Sequence, residues 1–319
     1  MDVTAILALL VSSTLLYSTP LIFAALGGLF SERSGIVNVG LEGIMVVGSF
    51  SSIVFNLSMA ETFGAITPWL SLIVGGICGV LFSLIHAIAT ITLRSEHVIS
   101  GTVLNLIAPS MCLVLTKILY EDKGQTDVIL ETFKLTEIPV LSSIPFVGKI
   151  FFTNVYLVPY LAVLTTIIVF FVLNKTRFGL RLRSVGEHPQ AADTLGIHVS
   201  AYRYAGVLLS GFLAGIGGAV VAQCITRNFS VSTIAGQGFM ALAALVFGKW
   251  KPINVMLSAL FFGLAQCLSI VGTTIPFIKD VPPILLTIAP FVVTIIVLVI
   301  FIGKSEGPAA AGKNYIKSK

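Results

Sequence analysis

The sequence predicts an all-α, polytopic membrane protein of about nine transmembrane helices, on three observations. Hydrophobic residues make up 56% of the 319 and charged residues only 10%, whereas a soluble domain carries roughly 25% charged residues. A chain of mean hydropathy +1.02 cannot clothe a water-facing surface, so the bilayer is its main solvent. The apolar residues also gather into runs near the ~20 residues that a spanning helix needs. Finally, 29 glycines suit the close approach of helices in lipid.

The runs are 4–30, 36–57, 67–93, 97–119, 153–174, 201–223, 236–248, 252–272 and 284–303. The first lacks a cationic n-region and a small-residue cleavage site, so it reads as a retained span. The second carries Asn38 and Glu42 within the Gly-rich stretch GIVNVGLEGIMVVG, and the seventh is short. Both are candidates for broken or re-entrant helices, which persist only where protein or a cavity covers the freed backbone. Cys78, Cys112, Cys224 and Cys267 fall inside apolar runs without metal-ligand spacing and read as buried thiols.

Basic residues set the orientation. With 175–200 in the cytoplasm, 13 of the 19 Lys and Arg residues lie inside, from Arg33 to Lys319, and six lie outside. The reverse orientation breaks the positive-inside bias. The N-terminus is then outside and the C-terminus inside. The net charge of +5 is this asymmetry and not a nucleic-acid footprint. The organisation expected is a permease domain over 1–303, an extracellular loop at 120–152 and a basic cytoplasmic tail at 304–319. Four spans precede the fifth and four follow it. Gly27-Gly28 with 35–48 and GFLAGIGGA with 236–248 stand in corresponding places, as in a 4+1+4 inverted repeat.

The polar stretch RLRSVGEHPQAADTLGIHV (181–199) interrupts this apolar chain. Gly186 permits a turn, Pro189 suits a first helical turn, Ala191 and Ala192 favour helix, and Gly196 can end it. A short helix lying on the cytoplasmic face, held by spans at both ends, can pass the movement of a docked protein into the bundle. An ordinary basic loop is the alternative.

The string VGEHPQAADTLGI resembles the cytoplasmic coupling segment of ABC-importer permeases of the branched-chain amino acid, ribose and nucleoside group. SERSGIVNVGLEGIMVVGSF (31–50), VISGTVLN (98–105) and GQGFMALAALVFGKWKP (236–252) resemble further motifs of the nucleoside branch, in the family's order. His188 stands where Asn is common. The resemblance implies a type II ABC-importer-like permease, nearest the shorter permease of bacterial nucleoside importers. It implies that Gly186, Glu187, His188, Pro189, Ala191, Ala192 and Gly196 couple to an ATP-binding subunit. It further implies a second homologous permease in a heterodimer, an extracellular substrate-binding lipoprotein, and ATP and Mg bound by the ATPase rather than by this chain.

The chain does not itself read as an enzyme. Gly303-Lys304-Ser305 mimics the end of a phosphate loop, but Leu298 stands where its first glycine belongs. His86, His97, His188 and His198 are scattered, so no metal is assigned. The polar residues at membrane depth are Asn38, Glu42, Asn105, Gln223, Gln237 and Gln266. Neutral amides suit a nucleoside, which offers hydroxyls and base edges without formal charge; each also suits an interhelical hydrogen bond. Glu42, four residues after Asn38 and on the same face of a continuous helix, reads as a ligand on the substrate path or as a structural acid accepting backbone hydrogen bonds. The functional alternatives are a ribose or other small-sugar permease and an ion-coupled secondary carrier, for which Glu42 alone is a thin basis.

Overall fold

The computed structural model describes residues 3–137, 153–271 and 307–316, with scattered positions from 281 to 296. The described chain is a helical bundle. Its elements are α1 (Val3–Arg33), α2 (Leu41–Phe63), α3 (Thr67–Ala87) with a π-turn at Ile88–Thr92, and α4 (His97–Leu119). A small hairpin of β1 (Lys134–Glu137) and β2 (Thr153–Tyr156) follows, with Leu135 opposite Val155. Then come α5 (Val158–Lys175), α6 (Arg177–Glu187), α7 (Pro189–Thr194), α8 (Val199–Val220) with a π-turn at Val221–Thr226, α9 (Gln237–Phe247) and α10 (Pro252–Val271).

Six helical stretches among the described residues are long and apolar enough to span. The 52-residue stretch Leu41–Thr92 holds two helices, α2 and α3, which pack against each other and so form a helical hairpin. Gly64 turns it at φ +52°, the Thr67 hydroxyl reaches the Met59 carbonyl at 3.5 Å, and Gly75 lies against the Gly48 carbonyl. The span count of nine is therefore not reached in what is described; the ninth run, 284–303, lies largely outside the described residues.

Two boundaries differ from expectation. The second span starts at Leu41 rather than at 36, because Gly35 sits at φ +92° and the Asn38 side chain accepts the Gly40 N–H at 3.1 Å, folding 34–40 into a turn. Asn38 and Glu42 thus do not share a helical face. The fifth span starts at Val158, with 153–156 spent on β2.

The core is organised around α8, which packs against α1, α2 and α3. Gly211 and Gly215 of α8 face Gly75 and Gly79 of α3, two small-xxx-small motifs that bring backbones into contact. A methyl on Gly79 would stand 2.9 Å from the Gly215 Cα. Large apolar side chains on the outer faces, such as Leu81, Leu106, Ile118 and Ile167, are more than half exposed and belong to lipid.

At one end of the bundle the links 34–40 and 93–96, α6, α7 and residues 307–316 come together. Glu96 caps α4 by accepting the Ile99 N–H at 2.7 Å, and these backbone donors hold its carboxyl below the usual carboxylate range. At the other end, residues 125–129 pair with 227–230: the Thr126 N–H donates to the Phe229 carbonyl at 3.0 Å and Ile129 to Arg227 at 2.9 Å.

Candidate functional site

The polar segment after α5 forms two helices rather than one. The Thr176 hydroxyl accepts the Gly179 N–H at 3.1 Å and starts α6 directly after α5. Gly186 does not make the turn; it lies inside α6, where its Cα abuts the Arg33 carbonyl and a methyl would stand 3.2 Å from the Gly35 nitrogen. The break falls at His188 (φ −140°, ψ 81°), and Pro189 opens the six-residue α7. Gly196, at φ +78°, ends it, as only glycine does without strain. His188 and Ala191 face solvent, while Ala192 packs with Val185 and Val199 beneath the two helices.

Glu187 ties this segment to the bundle. One carboxylate oxygen lies 3.7 Å from the Arg33 guanidinium and the other accepts the Ala309 N–H at 3.1 Å. Residues 307–316 are not a free tail. Ala310 donates to the Gly186 carbonyl at 2.9 Å and Gly312 to Gly35 at 3.1 Å. Asn314 donates to the Arg94 carbonyl at 2.7 Å and meets His97 at 3.3 Å; Arg203 donates to the Lys313 carbonyl at 3.2 Å. The segment laces the polar helices to the α1–α2 link, the α3–α4 link and the start of α8.

The six polar residues at membrane depth divide into two groups. Asn38 donates to the Ser210 hydroxyl at 3.1 Å. Asn105 clamps the α2 entrance, accepting from Gly43 at 2.8 Å and donating to the Val39 carbonyl at 3.0 Å. Glu42 accepts the Gly236 and Gly238 N–H groups, each at 2.6 Å, and so caps α9. Gln223, fully buried in the π-turn, accepts from Asn56 at 3.4 Å and leaves its own amide nitrogen unpartnered. These four side chains face protein.

Gln237 and Gln266 instead share a cavity of about 340 Å³, in the size range of small-molecule pockets. It lies near the 227–237 loop and is also lined by Tyr17, Ile225, Thr226 and Met240. The carbonyl oxygens of both glutamines are buried without a hydrogen-bond partner, and the Gln266 amide reaches only the Met240 sulfur, at 3.6 Å. A buried amide oxygen without a donor costs free energy until a ligand or water supplies one. Tyr17, Met240 and Thr226 were missed by sequence reasoning, and no local pattern marks them, since the lining comes from α1, the π-turn, α9 and α10. π-turns recur at functional sites, but neither Ile88–Thr92 nor Val221–Thr226 is legible in its residues.

The chain is 59% identical over its full length to the whole of a Lactococcus lactis protein described as the nucleoside ABC transporter permease protein NupC. It is 52% identical, again over all of both chains, to the guanosine ABC transporter permease protein NupQ of Bacillus subtilis. A second Lactococcus lactis relative, the nucleoside ABC transporter permease protein NupB, is 26% identical over 80% of this chain and 71% of that protein. With residues 10–303 matching the family and a bundle of membrane-length helices around them, the chain belongs to the family described as the branched-chain amino acid transport system / permease component.

Proposed function

We propose that the chain is the transmembrane subunit of an ATP-driven importer that moves nucleosides across the bacterial cytoplasmic membrane. The observation that carries the reading is the end-to-end identity with two nucleoside-type ABC permeases. The amide-lined cavity supports it: two neutral side chains that donate and accept match base edges and hydroxyls, and no carboxylate or cation lines the space among the described residues.

In this reading residues 1–303 form the permease domain and 120–152 face the exterior. Residues 175–200 face the cytoplasm, the orientation that puts the larger share of Lys and Arg inside. Separate ATP-binding subunits hold ATP and Mg and dock on α6 and α7, whose exposed surface carries His188 and Ala191. The presence of two permease relatives in Lactococcus lactis supports a second, homologous permease as partner. An extracellular lipoprotein delivers the substrate.

The chemistry is transport by alternating access. The cavity side chains bind weakly and reversibly, which a conducting path requires. The test is uptake of labelled guanosine, uridine and ribose into proteoliposomes holding the permease pair with and without its ATPase. Nucleoside uptake that needs ATP and is not competed by ribose is expected. Uptake driven by an ion gradient without ATP, or competition by ribose alone, would overturn the assignment.

A further inference from the structure

A second cavity, of about 360 Å³, opens at the same end of the bundle as α6, between the last turn of α5 and the first turn of α10. Three cations line it: Arg33, Arg183 and Lys251. No acid does. Of the described acids, Glu187 pairs with Arg33 at 3.7 Å and Glu32 accepts the Trp250 indole N–H, which leaves Arg183 and Lys251 without an acid partner among the described residues. The Arg183 Nε is buried and has no partner. Asn174 and Asn254 add neutral amides at the rim, and Phe170 and Ile253, 37% and 46% exposed, continue outward along the apolar helix faces.

Depth decides what such a cavity takes. Arg33 ends α1, Lys175 ends α5 and Pro252 begins α10, so the cations stand where spans leave the hydrocarbon and Phe170 stands where they enter it. Lys249 and Trp250 are both held at positive φ, +51° and +52°. Two adjacent non-glycine residues in that region carry strain that surrounding contacts must hold. Here Arg33 does so by donating twice to the Trp250 carbonyl, at 2.8 and 3.2 Å. The strained turn presents Lys251 to the cavity opposite Arg183.

We propose that this cavity is a binding site for an anionic phospholipid, with its phosphate among Arg183, Lys251 and Arg33 and an acyl chain along Phe170 and Ile253. The site needs only that the chain spans a bilayer; it does not rest on the identity of the transported substrate. Lysine and arginine clusters between helix ends are the usual ground for recognition of acidic headgroups, and the apolar exit separates a lipid from a free anion.

The test is native mass spectrometry of the purified full-length complex titrated with phosphatidylglycerol, with phosphatidylcholine, and with inorganic phosphate as competitor. Selective retention of phosphatidylglycerol is expected. Arg183→Gln with Lys251→Gln should raise its half-saturating concentration about thirty-fold, the loss of two headgroup charges. Lys251→Gln alone, at an exposed side chain, should give about five-fold and guards against misfolding of the double variant. Lys175→Gln, a neighbouring cation outside the cavity, should change nothing. Equal retention of both lipids, displacement by millimolar phosphate, or an equal loss from Lys175→Gln would each overturn the site.

Discussion

Glu42→Gln separates a structural acid from a substrate ligand. Both carboxylate oxygens accept backbone N–H groups, from Gly236 and Gly238, at 2.6 Å. Glutamine retains one acceptor and turns its NH2 toward the other donor, leaving one N–H unpaired and the surviving bond uncharged. A hydrogen bond to a charged group contributes about 1.5–3 kcal/mol, and a stranded buried donor costs about 1–3 kcal/mol. The negative charge also opposes the positive end of α9, by up to about 2 kcal/mol in partly buried geometry. These terms overlap, and a loss of about 2–4 kcal/mol is the consistent range. Thermal unfolding of the purified complex, in one lipid and detergent condition, reads the loss as a lower Tm. Glu42→Lys should fall further, because it sets a cation against the same N-terminus. Substrate affinity at a permissive temperature should change little. Native stability with a raised KM in Glu42→Gln would place the carboxylate on the substrate path and refute the capping role.

Other substitutions probe the remaining claims. Gln237→Leu with Gln266→Leu removes both unpartnered amide oxygens from the cavity; KM for uptake should rise roughly tenfold per lost hydrogen bond, with basal ATPase activity intact. Asn314→Ala removes the contacts to Arg94 and His97. ATP hydrolysis should continue while uptake per ATP falls, as measured in parallel assays on the same proteoliposomes. Gly79→Ala forces a methyl toward Gly215 and should cost about 1–3 kcal/mol in overpacking, seen as a lower Tm than Gly124→Ala, whose added methyl meets nothing within 4 Å.

The apolar runs foretold the spans because a bilayer selects for length and hydropathy and for little else. They misjudged 35–40, where Ile36, Val37 and Val39 extend the apolar run although Gly35 and Asn38 turn the backbone. The same limitation applies to function. The polar stretch 181–199 stood out by contrast, and its residues proved to be a tied pair of helices. Gln237 and Gln266 meet only through the fold, and nothing in either neighbourhood distinguishes them from Asn105, which serves backbone. The docked segment 307–316 read as a basic tail because Lys and Asn there look solvated. Its attachment is mostly through backbone N–H and C=O groups, which carry no side-chain signature.

What joins the polar helices to the amide cavity is a continuous set of short contacts. Gly186 rests on the Arg33 carbonyl and receives Ala310, whose segment also holds Gly35. From Gly35 the link runs to Asn38, bonded to Ser210 of α8, and to Val39 and Gly43, both clamped by Asn105. Glu42 follows within one helical turn and grips the N-terminus of α9, where Gln237 faces the cavity. Contiguity alone does not prove energetic coupling. It does restrict the form coupling can take, because close-packed interiors transmit a rigid displacement and resist gradual deformation. A push on α6 that moves the α1–α2 link must either carry Glu42 and the start of α9 with it or break two charge-assisted hydrogen bonds. The first course reshapes the amide cavity at the lower cost, so under the proposed function the capping acid is the point through which motion at the polar helices would reach Gln237.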